Sequence, residues 1–212
     1  MVWRTGGSQP PGGFRQSSGP GALPLQADFT VELGREDETL ELPWVAAESG
    51  PRYYDLKRQP EMLAHIEEAR SFAELGDFLT VVNASKSVLQ SAKCDAWGSR
   101  EMSLEEEIFA AEWKFGSYVD LLFSDEDERQ SFSAYEDFIK HLTALLRQAP
   151  DIPALAELLL RRCFYHENNS NGFYVTFYVF GYGSDEVKAR QQWAIALRLA
   201  GNAIVQCSSR LM

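Results

Sequence analysis

Cysteine, histidine and long apolar runs are scarce in this sequence. The three cysteines, Cys94, Cys163 and Cys207, are odd in number and far apart, so they indicate neither a disulfide framework nor a CxxC motif. Cys163 and His166 lie close together in sequence, but a zinc site requires three or four converging ligands. We therefore expect neither a metal nor a cofactor.

Membrane and export signals are missing as well. No run of about 18 apolar residues occurs, and the first residues contain no apolar core of the kind found in secretory signals. These absences lead us to expect a soluble, cytoplasmic protein with no membrane partner.

Basic residues are outnumbered by acidic ones. The chain has 20 Lys and Arg against 31 Asp and Glu, which gives a formal net charge of −11. Proteins that bind nucleic acid or anionic membranes need clustered basic residues that displace counterions. The charge therefore argues against both of these partners and permits a basic protein partner.

The N-terminal stretch differs in composition from the rest of the chain. Residues 1–26 contain no acidic residue and are rich in glycine, proline and serine. Such a composition does not bury enough apolar surface to offset the entropy lost on ordering. We predict a disordered leader over 1–26 and a single α+β domain over 27–212.

The first half of the predicted domain begins with strands. Alternating apolar residues over 29–33 and 40–44, joined by a Gly-containing acidic stretch, predict a β-hairpin over 27–45. Helices are expected over 61–72 and 73–83, with a strand over 79–82 as the alternative to the end of the second helix. Two strands should follow, over 87–97 and 112–123.

The second half is predicted to be mainly helical around one aromatic strand. Ser124 should cap a helix that continues to Leu146, and a further helix is expected from Pro153 to Arg162. The aromatic strand spans 171–183, and a helix capped by Ser184 should end at Gly201 before a last strand over 203–208.

Paired helices and adjacent strands in this order are typical of α+β proteins. We therefore expect an antiparallel or mixed sheet of about four to six strands, with helices packed mainly on one face. No internal repeat with a period of about 20–50 residues is visible in the sequence.

The aromatic strand, NGFYVTFYVFGYG, has large side chains on both of its faces. Alternation places Phe173, Val175, Phe177 and Val179 towards the helices. The opposite face then carries Tyr174, Thr176, Tyr178, Phe180 and Tyr182. The glycines in Gly181-Tyr182-Gly183 form a weak candidate for a phosphate-binding turn. The simpler interpretation is a tight turn that requires positive φ.

The residues of the earlier strands expected to share the tyrosine face are Ser91, Lys93, Asp95 and Trp97, with Tyr118 and Asp120. A surface with aromatic rings, a lysine and two carboxylates is suitable either for covered packing against protein or for a ligand pocket. The predicted site residues are Lys93, Asp95, Tyr118, Asp120, Tyr174 and Tyr178.

Three functions are compatible with these features. The preferred one is a non-catalytic binding or regulatory module that holds a protein partner, which includes a second copy of this chain, through the aromatic sheet face or an acidic surface. The first alternative is a small-molecule-binding protein or enzyme that uses the six residues as a pocket. The second alternative is an acidic inhibitor or immunity-like protein that neutralises a basic target.

Overall fold

A computed structural model of the protein describes residues 25–45 and 52–211. The strands are β1 (Gln26–Val31), β2 (Thr39–Leu42), β3 (Leu89–Ser99), β4 (Trp113–Phe123), β5 (Ala154–Tyr165) and β6 (Ser170–Gly183). The α-helices are α1 (Glu67–Ser71), α2 (Ala73–Val82), α3 (Glu126–Gln130), α4 (Phe132–Leu146) and α5 (Glu186–Leu211), and 3₁₀ turns cover Pro60–His65 and Glu106–Phe109.

The strands form one mixed sheet in the order β1-β5-β6-β4-β3, and β2 also pairs with β5. The expected α+β class with a mixed sheet is confirmed. The main core lies between one face of this sheet and the helices α2, α4 and α5. Its largest fully buried side chain is Trp193 of α5, which packs against Phe115 and donates a hydrogen bond from Nε1 to Ser117 Oγ at 2.9 Å.

The hairpin predicted over 27–45 is wrong, since β1 and β2 do not pair with each other. Both strands pair in parallel with β5, so that Phe29 lies opposite Leu158 and Leu40 lies opposite Cys163. An alternating apolar pattern identifies a half-buried strand but not its partner. Residues 1–24 of the predicted leader lie outside the described residues, whereas Leu25 is buried and β1 begins at Gln26.

The helix predicted from Pro153 to Arg162 is a strand, β5. Its leucines have helix-like spacing and leucine has a high intrinsic helix propensity, which explains the wrong prediction. In the structure β5 lies between β1 and β6, and residues 154–160 alternate between buried and half-buried. Pairing on both sides therefore decides the conformation of this segment.

The last segment also differs from the prediction, because α5 continues through Gly201 and includes the residues predicted as a strand over 203–208. Ala203, Ile204 and Cys207 have helical spacing and are buried in the main core. No glycine of the described residues has positive φ, so Gly201 does not end the helix and the glycines at the end of β6 do not form a left-handed turn.

The helix predicted from Ser124 to Leu146 is divided at Ser131 into α3 and α4, and the caps of α3 and α5 lie one residue after the predicted positions. Asp125 caps α3 by accepting hydrogen bonds from the backbone N–H groups of Asp127 and Glu128. Asp185 accepts the N–H of Lys188 at the start of α5 at 2.9 Å. A carboxylate at this position also complements the positive end of the helix dipole.

The two central hairpins belong to two successive ββα units. The first unit is β3, β4 and the helices α3 and α4, and the second is β5, β6 and α5. Their inner strands β4 and β6 are antiparallel neighbours, and Tyr118 lies directly opposite Tyr178. The two tyrosines therefore lie side by side at the centre of the sheet.

Candidate functional site

The open face is the sheet face turned away from the main core, and its two ends are covered by the chain itself. At one end Tyr174 is buried in a second cluster with Leu40 and Leu42. At the other end Tyr182 stacks on Phe109 with ring centroids 4.0 Å apart. The predicted tyrosine face is therefore accessible only in its middle.

Four rings in this middle region form the aromatic patch, which we define as Trp97, Tyr118, Tyr178 and Phe180. The centroids of Tyr118 and Tyr178 are 5.8 Å apart, and the rings of Tyr178 and Phe180 are nearly parallel at 6.1 Å. Trp97 contacts both Tyr118 and Phe180. All the rings except Phe180 are half-exposed.

Glycine at position 116 makes room for this patch. A Cβ atom added to Gly116 would lie 2.5 Å from a ring carbon of Phe180, so the ring of Phe180 covers the backbone of β4 here. The rings thus rest on strands rather than on loops, and this placement gives the patch a defined shape.

The structure brings together three of the six predicted site residues. Asp95 lies opposite Tyr118 on the neighbouring strand, and Tyr118 lies opposite Tyr178. Asp95 is exposed and accepts a hydrogen bond from the N–H of Ala96 at 2.7 Å. These three residues are available to a partner on the open face.

The other three predicted residues are separated from this group or buried. The Nζ of Lys93 lies 5.4 Å from the centroid of the Trp44 ring, and Lys93 lines a cavity of about 250 Å³ beside β3 to which the other five residues do not contribute. Tyr174 is 1% exposed and Asp120 is 5% exposed. The six residues therefore do not enclose one pocket.

Asp120 is the buried carboxyl group of the open face. It accepts a hydrogen bond from Thr176 Oγ1 at 2.7 Å. Burial raises the pKa of Asp120 to about 6, against the opposing effects of the Thr176 hydrogen bond and the nearby Lys93. The pKa of Tyr118 is raised by burial and by the negative charges of Asp120 and Asp95, so its hydroxyl remains protonated.

Replacing Asp120 is expected to change how stability depends on pH. A carboxyl with a raised folded-state pKa contributes full stability below its ordinary pKa, near 4, and loses that stability as the pH rises through about 6. We expect Asp120→Asn to raise the free energy of unfolding at pH 8 by about 2 kcal/mol relative to its effect at pH 4.5.

Urea denaturation of the unmodified protein and of Asp120→Asn, at pH 8 and at pH 4.5, measures this change in the free energy of unfolding. Asp95→Asn is the matched control, because Asp95 is exposed on the same face, and it should shift stability by less than about 0.5 kcal/mol. Equal effects of Asp120→Asn at pH 8 and pH 4.5 would contradict the role of burial.

Two residues of the open face were missed from the sequence because β5 was predicted to be a helix. Arg161 of β5 donates to Glu32 Oε2 at 2.7 Å and lies 3.7 Å from Glu38. Glu157 lies opposite Tyr178. A two-residue period could have located them, because every second position from 154 to 160 is alanine or leucine. These four positions form the buried face of β5.

A β-bulge changes the face of one further residue. The register of β3 and β4 shifts between Ser91 and Cys94. Ser91 was expected beside Lys93 on the tyrosine face, but it accepts a hydrogen bond from Asn83 Nδ2 and lies opposite Leu121, a residue of the main core, on the helix side. A bulge inserts a residue, which reverses the alternation of side chains, and its position was not evident from the sequence.

A second concave region lies where β4 ends. This polar cavity of about 480 Å³ is lined by Tyr53, Gln90, Ser124 and Arg129, among other residues. Gln90 donates to Tyr53 OH and accepts from Arg129, while Ser124 Oγ is buried without a hydrogen-bond partner among the described residues. Asp55 and Arg58, which also line it, form an ion pair at 3.5 Å. The lining contains three acidic and three basic side chains, so their charges balance.

Residues 25–45 and 52–211 contain no group of three or more His, Cys, Asp or Glu arranged to hold a metal ion. No helix within these ranges has the length and apolar character needed to cross a bilayer. Comparison of the chain with protein-family models, with curated proteins and with solved structures finds no match.

Proposed function

We propose that the protein is a non-catalytic interaction module that holds a protein partner against the open face of its sheet. The observation that supports this proposal is the aromatic patch, which leaves Trp97, Tyr118 and Tyr178 half-exposed next to one another. Tyrosine and tryptophan are enriched at the centres of protein interfaces, where their rings bury a large area at a small cost in entropy.

The shape of the open face supports protein binding over the small-molecule alternative. The polar groups expected to form a pocket are separated, since Lys93 lies over Trp44 while Asp95 is exposed opposite Tyr118. Small ligands need a concave site that buries most of their surface. A patch of neighbouring, partly exposed rings on paired strands fits a larger surface better.

A cross-linking experiment tests the proposal. A photoreactive phenylalanine analogue at position 97 should capture a partner from cells, and the purified partner should then bind the unmodified protein. We expect Tyr118→Ala to weaken this binding by at least about tenfold, because removal of a central interface aromatic costs more than about 1 kcal/mol.

Tyr54→Ala is the matched control, since Tyr54 is also half-exposed but packs near His65 outside the open face. This variant should bind with unchanged affinity. The proposal is wrong if the two variants bind equally well while circular dichroism shows both to be folded. Light scattering of the purified chain tests whether the partner is a second copy. If it is, the effect of Tyr118→Ala is measured on the dissociation constant of the dimer.

A further inference from the structure

A line of carboxylates and tyrosines crosses the open face from one edge of the sheet to the other. The registers place Asp28, Glu157, Tyr178, Tyr118 and Asp95 opposite one another on β1, β5, β6, β4 and β3. The two tyrosines of the aromatic patch are therefore flanked by Asp95 on one side and by Glu157 on the other. Asp95 is exposed and Glu157 is half-exposed.

The basic side chains of this face already have partners within the chain. Lys114 forms an ion pair with Glu106 at 2.9 Å. Arg161 forms one with Glu32 at 2.7 Å. Arg147 pairs with Asp28 at 3.4 Å, so the two carboxylates that flank the tyrosines, Asp95 and Glu157, are the members of the row that form no ion pair among the described residues.

The electrostatic environment of Glu157 agrees with this excess of negative charge. Its pKa is raised by burial and by the neighbouring carboxylates Glu105, Glu106 and Asp28, with Lys114 opposing them. Repulsion among these groups would be relieved by a cation placed on the face.

We propose that the partner contributes a basic segment whose arginine or lysine side chains lie on the aromatic patch between Asp95 and Glu157. Tyrosine and tryptophan rings attract guanidinium and ammonium groups, and the flanking carboxylates supply charge-assisted hydrogen bonds. This inference rests on the proposed function, because it states the chemistry of the partner held at the same face. It includes the acidic-inhibitor alternative, in which such a segment belongs to a basic target.

The spacing of the row specifies the segment further. Asp95 and Glu157 are separated by three strand-to-strand steps of about 4.8 Å, so they lie about 14 Å apart. An extended peptide advances about 3.4 Å per residue, so basic residues four positions apart span nearly this distance. The best probe therefore carries two arginines at positions i and i+4.

Fluorescence anisotropy with synthetic peptides tests the inference. The probe is a labelled glycine–serine peptide with arginines at i and i+4, and the control probe has glutamates at the same positions. We expect the arginine probe alone to bind, and its affinity to fall at least about tenfold between about 0.01 M and 0.15 M salt. The Asp95→Asn/Glu157→Gln variant should bind it about tenfold more weakly than the unmodified protein.

Asp77→Asn/Asp137→Asn is the matched control variant, because it changes the net charge equally through exposed carboxylates of α2 and α4. It should retain the affinity of the unmodified protein. Equal binding of the arginine and glutamate probes, or equal loss in both double variants, overturns the basic-segment inference. A partner captured at position 97 whose binding depends on Tyr118 but not on Asp95 and Glu157 also overturns it, yet leaves the proposed function standing.

Discussion

Gly181→Ala should destabilise the protein by about 3 kcal/mol or more, which lowers the melting temperature by about 10 °C or prevents folding. A Cβ atom at this position would lie 2.0 Å from the backbone nitrogen of Trp193 and 2.5 Å from the carbonyl oxygen of Ala189. Both are backbone atoms of α5, so only displacement of the whole helix could relieve the contact. Thermal unfolding followed by circular dichroism measures the loss.

Gly201→Ala is the control for this substitution. Gly201 lies inside α5, and an added Cβ atom would make ordinary contacts with Val81 and Phe78 at 3.6–4.0 Å. Since alanine favours a helix more than glycine does, we expect a gain of about 0.5–1 kcal/mol. If both variants lower stability by the same amount, the close approach of α5 to β6 is not the reason for glycine at 181.

Lys114→Met should cost about 3 kcal/mol of unfolding free energy, because it leaves a buried carboxylate without its cation. Glu106 is 6% exposed and is held by Lys114 Nζ at 2.9 Å, by the hydroxyl of Tyr182 at 2.8 Å and by the N–H of Ser103. Although burial raises the pKa of Glu106, these three donors together keep it below its ordinary value. Urea denaturation at pH 7 measures the loss.

The double variant Glu106→Gln/Lys114→Met separates the charge effect from lost packing. Glutamine still accepts hydrogen bonds from Tyr182 and Ser103 but carries no charge, so the double variant should be more stable than Lys114→Met alone. If the two proteins unfold at the same urea concentration, the cost comes from losing the contact between Lys114 Nζ and the ring of Phe180 at 5.5 Å, not from the unpaired charge of Glu106.

The sequence predicted the central strands and the class of fold because their signals are local. β3, β4 and β6 were located from alternating or dense aromatic and β-branched residues, and α4 from its helical spacing of apolar residues. The split of β6 into a core face with Val175 and Phe177 and an open face with Tyr178 is correct for the same reason.

The errors occur where the environment overrides local preference. The leucines of β5 favoured a helix, and the β-branched residues near the end of α5 favoured a strand. In both segments tertiary packing overrides the local propensity. The wrong assignment of β5 concealed Glu157 and Arg161, and so one of the two carboxylates that flank the tyrosines.

By itself, the sequence determined the acidic charge, the tyrosine-bearing face of β6 and the membership of Asp95, Tyr118 and Tyr178 in one surface. These features depend on composition and on the two-residue period of a strand. Only the tertiary structure decided that the ends of this surface are covered, that Asp120 and Tyr174 are buried, and that Glu157 lies beside the tyrosines. Strand order and the covering of a face depend on contacts between distant segments, which no local pattern encodes.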